Sequence, residues 1–124
     1  MTQKKTYRIS QINRLLQEEI ASILLMELQD DSLRSLTVTE VRTTRDLYHA
    51  FVFIASHKNE DPDVIVDAAN QRSRQIQKLL FSRLRLKRIP NLEFRYDDSL
   101  DKAERIFQTL EQIRQEEEQQ PIEE

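Results

Sequence analysis

A dense block of cations is the feature of this sequence best suited to binding a ligand. Between residues 72 and 88, seven basic side chains occupy seventeen positions, and no acidic residue lies among them. They are Arg72, Arg74, Lys78, Arg83, Arg85, Lys87 and Arg88. On a helix, Arg74 and Lys78 share a face, as do Arg83 and Lys87, and like charges at that spacing repel. Because a nucleic-acid backbone would relieve this repulsion and release counterions, the block predicts phosphate binding.

The charge of the chain changes sign along its length. Residues 1–71 hold 8 basic and 11 acidic side chains, residues 72–96 hold 8 basic side chains and one acidic side chain, and residues 97–124 hold 3 basic and 10 acidic side chains. The formal net charge of -3 therefore conceals a strongly basic centre, and a phosphate responds to this local field. A second interpretation stays open here, in which the cations form a solvated helix face and pair with the acidic C-terminal residues.

Aromatic and histidine side chains are weaker candidates for chemistry. Five aromatic residues fall on predicted strands, where a core role is the expected one and base stacking is the alternative: Tyr48, Phe51, Phe53, Phe94 and Tyr96. His49 and His57 are the only histidines, and with Asp46 they make a poor metal site because they fall on different elements. Nothing near Ser56, His57 and Asp61 marks an oxyanion hole, so we expect no enzyme activity. We also expect no bound metal and no cofactor.

Composition excludes several classes of protein. The chain has 124 residues with no Cys and no Gly. This rules out disulfides, thiol nucleophiles, P-loops and Rossmann turns, and it makes an RRM unlikely because that fold needs glycines in its RNA-binding motif. No apolar run in the sequence approaches the ~20 residues of a membrane span. The first eight residues are polar and lack the apolar stretch of a signal peptide, so a single cytoplasmic domain is predicted.

Periodicity in the first half of the chain predicts a helix and two strands. Apolar residues recur in steps of three and four as the stripe of an amphipathic helix that extends to about Leu28: Ile9, Ile12, Leu16, Ile20 and Ile23. Residues 36–42 and 47–56 are rich in β-branched and apolar residues and predict an antiparallel pair of strands. The second strand is apolar on both faces, so it is buried on both sides or central in its sheet.

The second half predicts two helices, a strand and a last helix. Asp61 and Pro62 start a helical pattern that runs to about Leu86, with one apolar step missing at Arg72. We interpret the gap as a break or kink, whose exposed backbone N–H groups suit phosphates; one continuous helix with Arg72 snorkelling is the alternative. Core positions are predicted at Ile65, Ala68, Ala69, Ile76, Leu79, Leu80 and Leu84.

Residues after Pro90 complete the predicted domain. Residues 92–96 alternate apolar and charged side chains as in a half-exposed strand, and a last helix carries one apolar face: Leu100, Ala103, Ile106, Phe107, Leu110 and Ile113. The prediction is an α+β domain over residues 1–113, in the order α-β-β-α-α-β-α, with a three-stranded sheet and helices packed on one face. Residues 114–124 are predicted to be an acidic, disordered tail.

Three stretches, taken in order, resemble the ribosome-binding factor A family. The first is Tyr7-Arg8-Ile9 with the apolar stripe up to Asp30, and the second is the Leu36–Val41 strand with Asp46-Leu47, Ala50–Phe53 and Ser56. The third runs from Leu84 to Ser99 through Ile89-Pro90-Asn91. The resemblance covers roughly residues 5–113. It implies a single type II KH-like domain and a non-enzymatic assembly factor.

Such factors bind the free 30S subunit and its 16S rRNA near the 5′-terminal helix, support late rRNA processing, and contribute to cold adaptation. The sequence departs from the family pattern twice. Arg72-Ser73-Arg74 stands where the family carries an Ala-x-Gly kink, so Arg72 and Arg74 offer phosphate contacts that a glycine could not. Asp30-Asp31-Ser32 replaces a usual Asp-Pro-Arg, which removes one expected basic contact.

The functional prediction is an rRNA-binding maturation factor that acts as a monomer, without a membrane or a small-molecule substrate. The seven cations of the block are the predicted phosphate contacts, and Arg42 and Arg45 extend the surface from the connection between the first two strands. Contacts are expected mainly to the RNA backbone. The alternative function is a protein-interaction module whose basic helix pair docks an acidic partner.

Overall fold

The apolar stripe near the N-terminus forms helix α1 (Ile9–Met26) in the computed structural model of the chain. The structure describes residues 8–56, 58 and 60–119, and only the backbone of Leu100 and Gln119. Ile12, Leu16 and Ile20 are buried, because side chains four residues apart return to one helix face. The helix ends two residues before the predicted limit, and Gln29 then takes a positive φ of 41° that turns the chain.

A one-turn helix, α2 (Asp31–Arg34), follows the turn and was not predicted. The carboxylate of Asp30 caps it by accepting hydrogen bonds from the backbone N–H and the hydroxyl of Ser32, at 3.1 and 2.6 Å. The Ser32 hydroxyl is the main reason why the pKa of Asp30 lies below its usual value. Asp30-Asp31-Ser32 therefore starts a short helix after α1 has already ended at Met26, because aspartate and serine are good N-cap residues.

The three predicted strands form one sheet in the order β1-β2-β3. β1 (Leu36–Thr43) pairs with β2 (His49–Ser56) in the predicted antiparallel direction, and β3 (Asn91–Tyr96) pairs with β2 in parallel. The central position of β2 confirms the prediction from its apolar faces. α1 packs on β1, and the helices α3 (Pro62–Gln71) and α4 (Ser73–Arg83) pack on β3, so one sheet face is covered by helices, as predicted.

The predicted break lies at Arg72, between α3 (Pro62–Gln71) and α4 (Ser73–Arg83). The alternative of one continuous helix is therefore wrong. Arg72 has a φ of −96° and a ψ of 1°, a conformation open to any L-residue. Because the bend needs no positive φ, the missing Ala-x-Gly does not prevent it. Buried Ile65, Ala69, Ile76 and Leu80 fix both helices on the core, while Ala68, Leu79 and Leu84 are partly buried.

Two expectations about helix ends and packing are wrong. α4 stops at Arg83, three residues before the predicted Leu86, because Leu84 is extended and the chain must return to begin β3 beside β2. Arg83 and Lys87 therefore share no helix face. The last helix, α5 (Ser99–Gln119), does not pack on the sheet: each of its described side chains is exposed except the half-buried Glu111. It also continues past the predicted boundary at residue 113, and the division into domain and tail stays a prediction.

Candidate nucleic-acid interface

Arg74 and Lys78 lie on the outer side of α4, away from the core. Ile76 and Leu80 face the core, so Arg74 and Lys78, which lie one turn apart, are exposed together with Phe81 on the next turn. Neither Arg74 nor Lys78 forms an ion pair within the described part of the chain. Their mutual repulsion is therefore uncompensated, as the spacing predicts.

Three of the nine predicted site residues have carboxylate partners instead. Nη1 and Nη2 of Arg83 reach Glu19 at 3.3 Å and Glu27 at 2.6 Å, which ties α4 to α1. Nη2 of Arg72 lies 4.0 Å from Oδ2 of Asp30, the N-cap residue of α2. Arg42 pairs with Glu40 at 2.8 Å, and this hydrogen bond raises the pKa of Arg42. Their carboxylate partners lie on β1, at the N-cap of α2 and on α1, so each of these three charges is already compensated within the fold.

Arg88 is held by the connection between β1 and β2. Its guanidinium carbon lies 3.7 Å from the centre of the Tyr48 ring, and Nη1 donates a hydrogen bond to the backbone oxygen of Asp46 at 3.1 Å. The carboxylate of Asp46 in turn accepts from the Thr44 hydroxyl at 2.6 Å, which lowers the pKa of Asp46. Arg45 lies on this same connection, so it joins the end of the molecule that carries residues 84–90.

The loop that follows α4, residues 84–90, is called here its exit loop and carries the remaining cations. Arg85 and Lys87 are exposed, and neither has a partner among the described residues. With Arg45, Arg74, Lys78 and Arg88 they make up what we call the basic surface: six cations on α4, on its exit loop and on the β1–β2 connection. No ion pair in the described ranges links the basic surface to α5, whose pairs are Lys102 with Asp98 and Arg114 with Glu111.

Two of the five predicted aromatic residues lie on the opposite face of the sheet, which carries no helices. Phe94 is buried in the core, whereas half-buried Phe51 and Phe53 lie on the face without helices. Arg95 lies over Phe51 at 4.3 Å and Arg42 over Phe53 at 5.6 Å, and each arginine also pairs with a glutamate two residues earlier. This face is therefore electrically balanced. Arg42 belongs to this face through its contact with Phe53.

Several important residues were absent from the sequence predictions. Asn70 and Gln77 hold β3 and the exit loop to the helices through their side-chain amides. Phe81 has 76% of its surface exposed and was not singled out, although its place three residues after Lys78 in a basic helix was a visible signal. No group of three metal-ligating residues occurs in the described segments, and His57 lies outside them.

This chain is similar to ribosome-binding factors A over most of its length. The sequence model of the family "Ribosome-binding factor A" matches residues 8–110. A ribosome-binding factor A of Thermodesulfovibrio yellowstonii is 37% identical over 107 residues, which are 86% of this chain and 91% of that protein. That of Halothermothrix orenii is 33% identical over 115 residues, which are 92% and 94% of the two chains. None of the described helices has the length and apolar character that crossing a bilayer demands.

Solved structures agree with these sequence matches. The crystal structure of ribosome-binding factor A from Thermus thermophilus is 27% identical with a TM-score of 0.63, and the match covers 71% of this chain and 94% of that one. A homology model of the Thermus factor, fitted into a cryo-EM map of a 30S complex, is 29% identical with a TM-score of 0.54 and matches 77% of this chain and 97% of that one. The α+β fold with its KH-like element order and the match over residues 8–110 lead to one conclusion: the chain belongs to the ribosome-binding factor A family.

Proposed function

We propose that this chain binds the free 30S ribosomal subunit through its 16S rRNA, near the 5′-terminal helix, and supports late rRNA processing and subunit maturation. It acts in the cytoplasm as a monomer, and it works by binding rather than by catalysis. Membership in the ribosome-binding factor A family supports the proposal, as does the 30S complex of the Thermus relative.

The basic surface is the observation that carries this proposal. Arg74, Lys78, Arg85 and Lys87 keep their charges without a partner in the described part of the chain, although the molecule has an excess of acidic residues. A folded protein gains nothing from leaving like charges one helical turn apart. Phosphates would remove that repulsion, and the released counterions would drive binding.

The nine predicted residues divide into two groups, one on the basic surface and one held by carboxylates. We assign the direct phosphate contacts to the basic surface: Arg45, Arg74, Lys78, Arg85, Lys87 and Arg88. Arg42, Arg72 and Arg83 each have a carboxylate partner, so a phosphate would have to replace that partner. Contacts of this kind recognise the shape and backbone of folded RNA, which suits binding to a subunit rather than to a short sequence motif.

Sedimentation of the full chain with purified ribosomal particles tests the proposal. We expect the chain to travel with free 30S subunits in a sucrose gradient and to stay at the top with complete 70S ribosomes. Raising the salt concentration should release it from the 30S peak, because phosphate contacts depend on counterion release. Equal association with both particles, or with neither, would contradict the proposed function.

A further inference from the structure

An open concavity lies between α4 and its exit loop, at the centre of the basic surface. Gln77, Lys78 and Phe81 line it from α4, and Arg88 and Ile89 line it from the loop. None of these five side chains is acidic, and two are cations. The concavity therefore combines an aromatic ring, an aliphatic side chain and two positive charges, which together match a nucleotide rather than a simple anion.

Phe81 is the unusual member of this group. Its ring is 76% exposed, more than any other large apolar side chain in the described residues. Exposing a phenyl ring to water costs free energy, because apolar surface is more stable when buried. Such a ring offers a flat surface on which a base can stack, and stacking works with any base because each has a π-face.

Arg88 provides a second flat surface next to Phe81. Its guanidinium lies 3.7 Å from the Tyr48 ring centre, and the hydrogen bond to the Asp46 oxygen restrains it. The Gln77 side-chain amide donates to the backbone oxygens of Ile89 and Pro90, both at 3.2 Å, so α4 and the loop are joined directly. The two sides of the concavity are therefore held at a set spacing before any ligand arrives, which lowers the cost of binding.

We propose that this concavity binds one unpaired nucleotide, with its base stacked on Phe81 and its phosphate held by Lys78 and Arg88. This inference rests on the proposed function, since the nucleotide would belong to the rRNA. The base has to be unpaired, because a base inside a duplex already stacks on both of its faces. An acidic protein segment is the competing ligand, and a flat ring beside two cations favours the nucleotide.

Fluorescence anisotropy with two RNA probes tests this site: a labelled, unstructured single strand of twelve nucleotides and a duplex of the same length. In the full chain, Phe81→Ala should weaken single-strand affinity by about 5-fold to about 150-fold, the range of one lost stacking contact. Duplex affinity should stay unchanged, and Phe81→Tyr should restore single-strand binding. Phe107→Ala is the matched control, because Phe107 is 64% exposed on α5, away from the basic surface.

The possible outcomes separate this site from the proposed function. If the wild-type chain binds RNA and Phe81→Ala leaves single-strand affinity unchanged, the nucleotide site is wrong and the proposed function stands. Equal losses for single strand and duplex would also overturn the site. If the wild-type chain binds neither probe at low salt, the nucleotide site is wrong, whereas the proposed function fails only if the chain also does not travel with free 30S subunits. Retained RNA affinity with lost binding to a glutamate-rich peptide would replace the nucleotide with a protein ligand. As a second readout, 4-thiouridine in the single strand should cross-link to residues 79–83.

Discussion

The cations of this chain perform two different tasks, which depend on the neighbours of each side chain. Arg83 joins Glu19 and Glu27 of α1 and thereby fastens α4 to the rest of the fold. Arg74 and Lys78 emerge from the same helix less than three turns away and have no such partner in the described chain. Only the second kind of cation can meet an incoming phosphate without first losing an ion pair.

Removing two of these cations should change the salt dependence of 30S binding. With Arg74→Ala and Lys78→Ala combined, two phosphate contacts are lost, so the slope of log affinity against log salt should become shallower by about 1.4 to 1.8 units. Binding titrations with free 30S subunits at several salt concentrations measure this slope. Both side chains are exposed, so we expect unchanged folding by circular dichroism.

The matched control for that variant removes two other exposed cations, through Arg14→Ala on α1 and Lys58→Ala before α3. Arg14 has only an exposed pair with Glu18 at 3.4 Å, and such pairs contribute little to stability. The control should keep the wild-type slope. Identical slopes in the two double variants would show that Arg74 and Lys78 do not contact phosphates.

At the scale of elements, side-chain amides from the helices form hydrogen bonds with backbone groups of both outer strands, β1 and β3. Asn13 and Gln17 of α1 bond to backbone groups of β1. On the other edge, Asn70 of α3 accepts from the Phe94 N–H at 2.8 Å and donates to the Phe94 oxygen at 3.1 Å. An outer strand whose backbone groups are paired in this way is a poor template for another chain.

Loss of the Asn70 amide should destabilise the junction between α3 and β3. Asn70→Ala leaves the N–H and the oxygen of buried Phe94 unpaired, and we expect the free energy of unfolding to fall by about 1–3 kcal/mol. Gln71→Ala is the control, since Gln71 is exposed and should change stability by less than about 0.5 kcal/mol. Urea unfolding followed by circular dichroism compares them, and equal losses would contradict the role of Asn70.

At the scale of the whole molecule, α5 extends from a two-layer domain without packing on it. Its apolar stripe is left uncovered, with Ile106, Phe107, Leu110 and Ile113 between 45% and 64% exposed. The link to the sheet consists of local contacts, in which Asp97 accepts from the Ser99 N–H at 2.9 Å and the Tyr96 hydroxyl donates to Asp101 at 3.2 Å. The hydrogen bonds from Ser99 and from the Thr39 hydroxyl lower the pKa of Asp97.

Deletion of residues 114–124 should strengthen RNA binding through its effect on net charge. The deleted segment holds one basic and five acidic residues, so the formal net charge changes from -3 to +1. We expect affinity for RNA to rise roughly two- to tenfold at low salt, and the gain to disappear at high salt because the effect is a long-range field. Anisotropy with the single-stranded probe measures it.

A length-matched variant separates charge from chain length in that experiment. Replacing Glu116, Glu117 and Glu118 with glutamine removes three negative charges and keeps every residue. It should raise RNA affinity in the same direction as the deletion. An unchanged affinity in both variants would mean that the acidic segment does not shield the basic surface, and an RNA affinity that is negligible throughout would favour the alternative of a protein ligand.

Much of the fold follows from local patterns in the sequence. Apolar steps of three and four residues predicted α1, the β-branched runs predicted β1 and β2, and the missing apolar step at Arg72 predicted the break between α3 and α4. These predictions are correct because each pattern reports which side of one element faces the core, and that preference is a property of neighbouring residues. The order of the elements and three stretches of residues were then sufficient to indicate the family.

Contacts between distant residues were decided only by the tertiary structure. The sequence alone determined that residues 72–88 are basic, but the folded chain decided that Arg83 meets Glu19, 64 positions earlier, while Lys78 meets no carboxylate among the described residues. The same applies to Arg88 on Tyr48 and to the exposed stripe of α5. Periodicity reports on one helix or strand at a time. Which carboxylate pairs with a cation, and whether an apolar helix face is buried, depends on how the elements pack against each other, and local spacing carries no information about that.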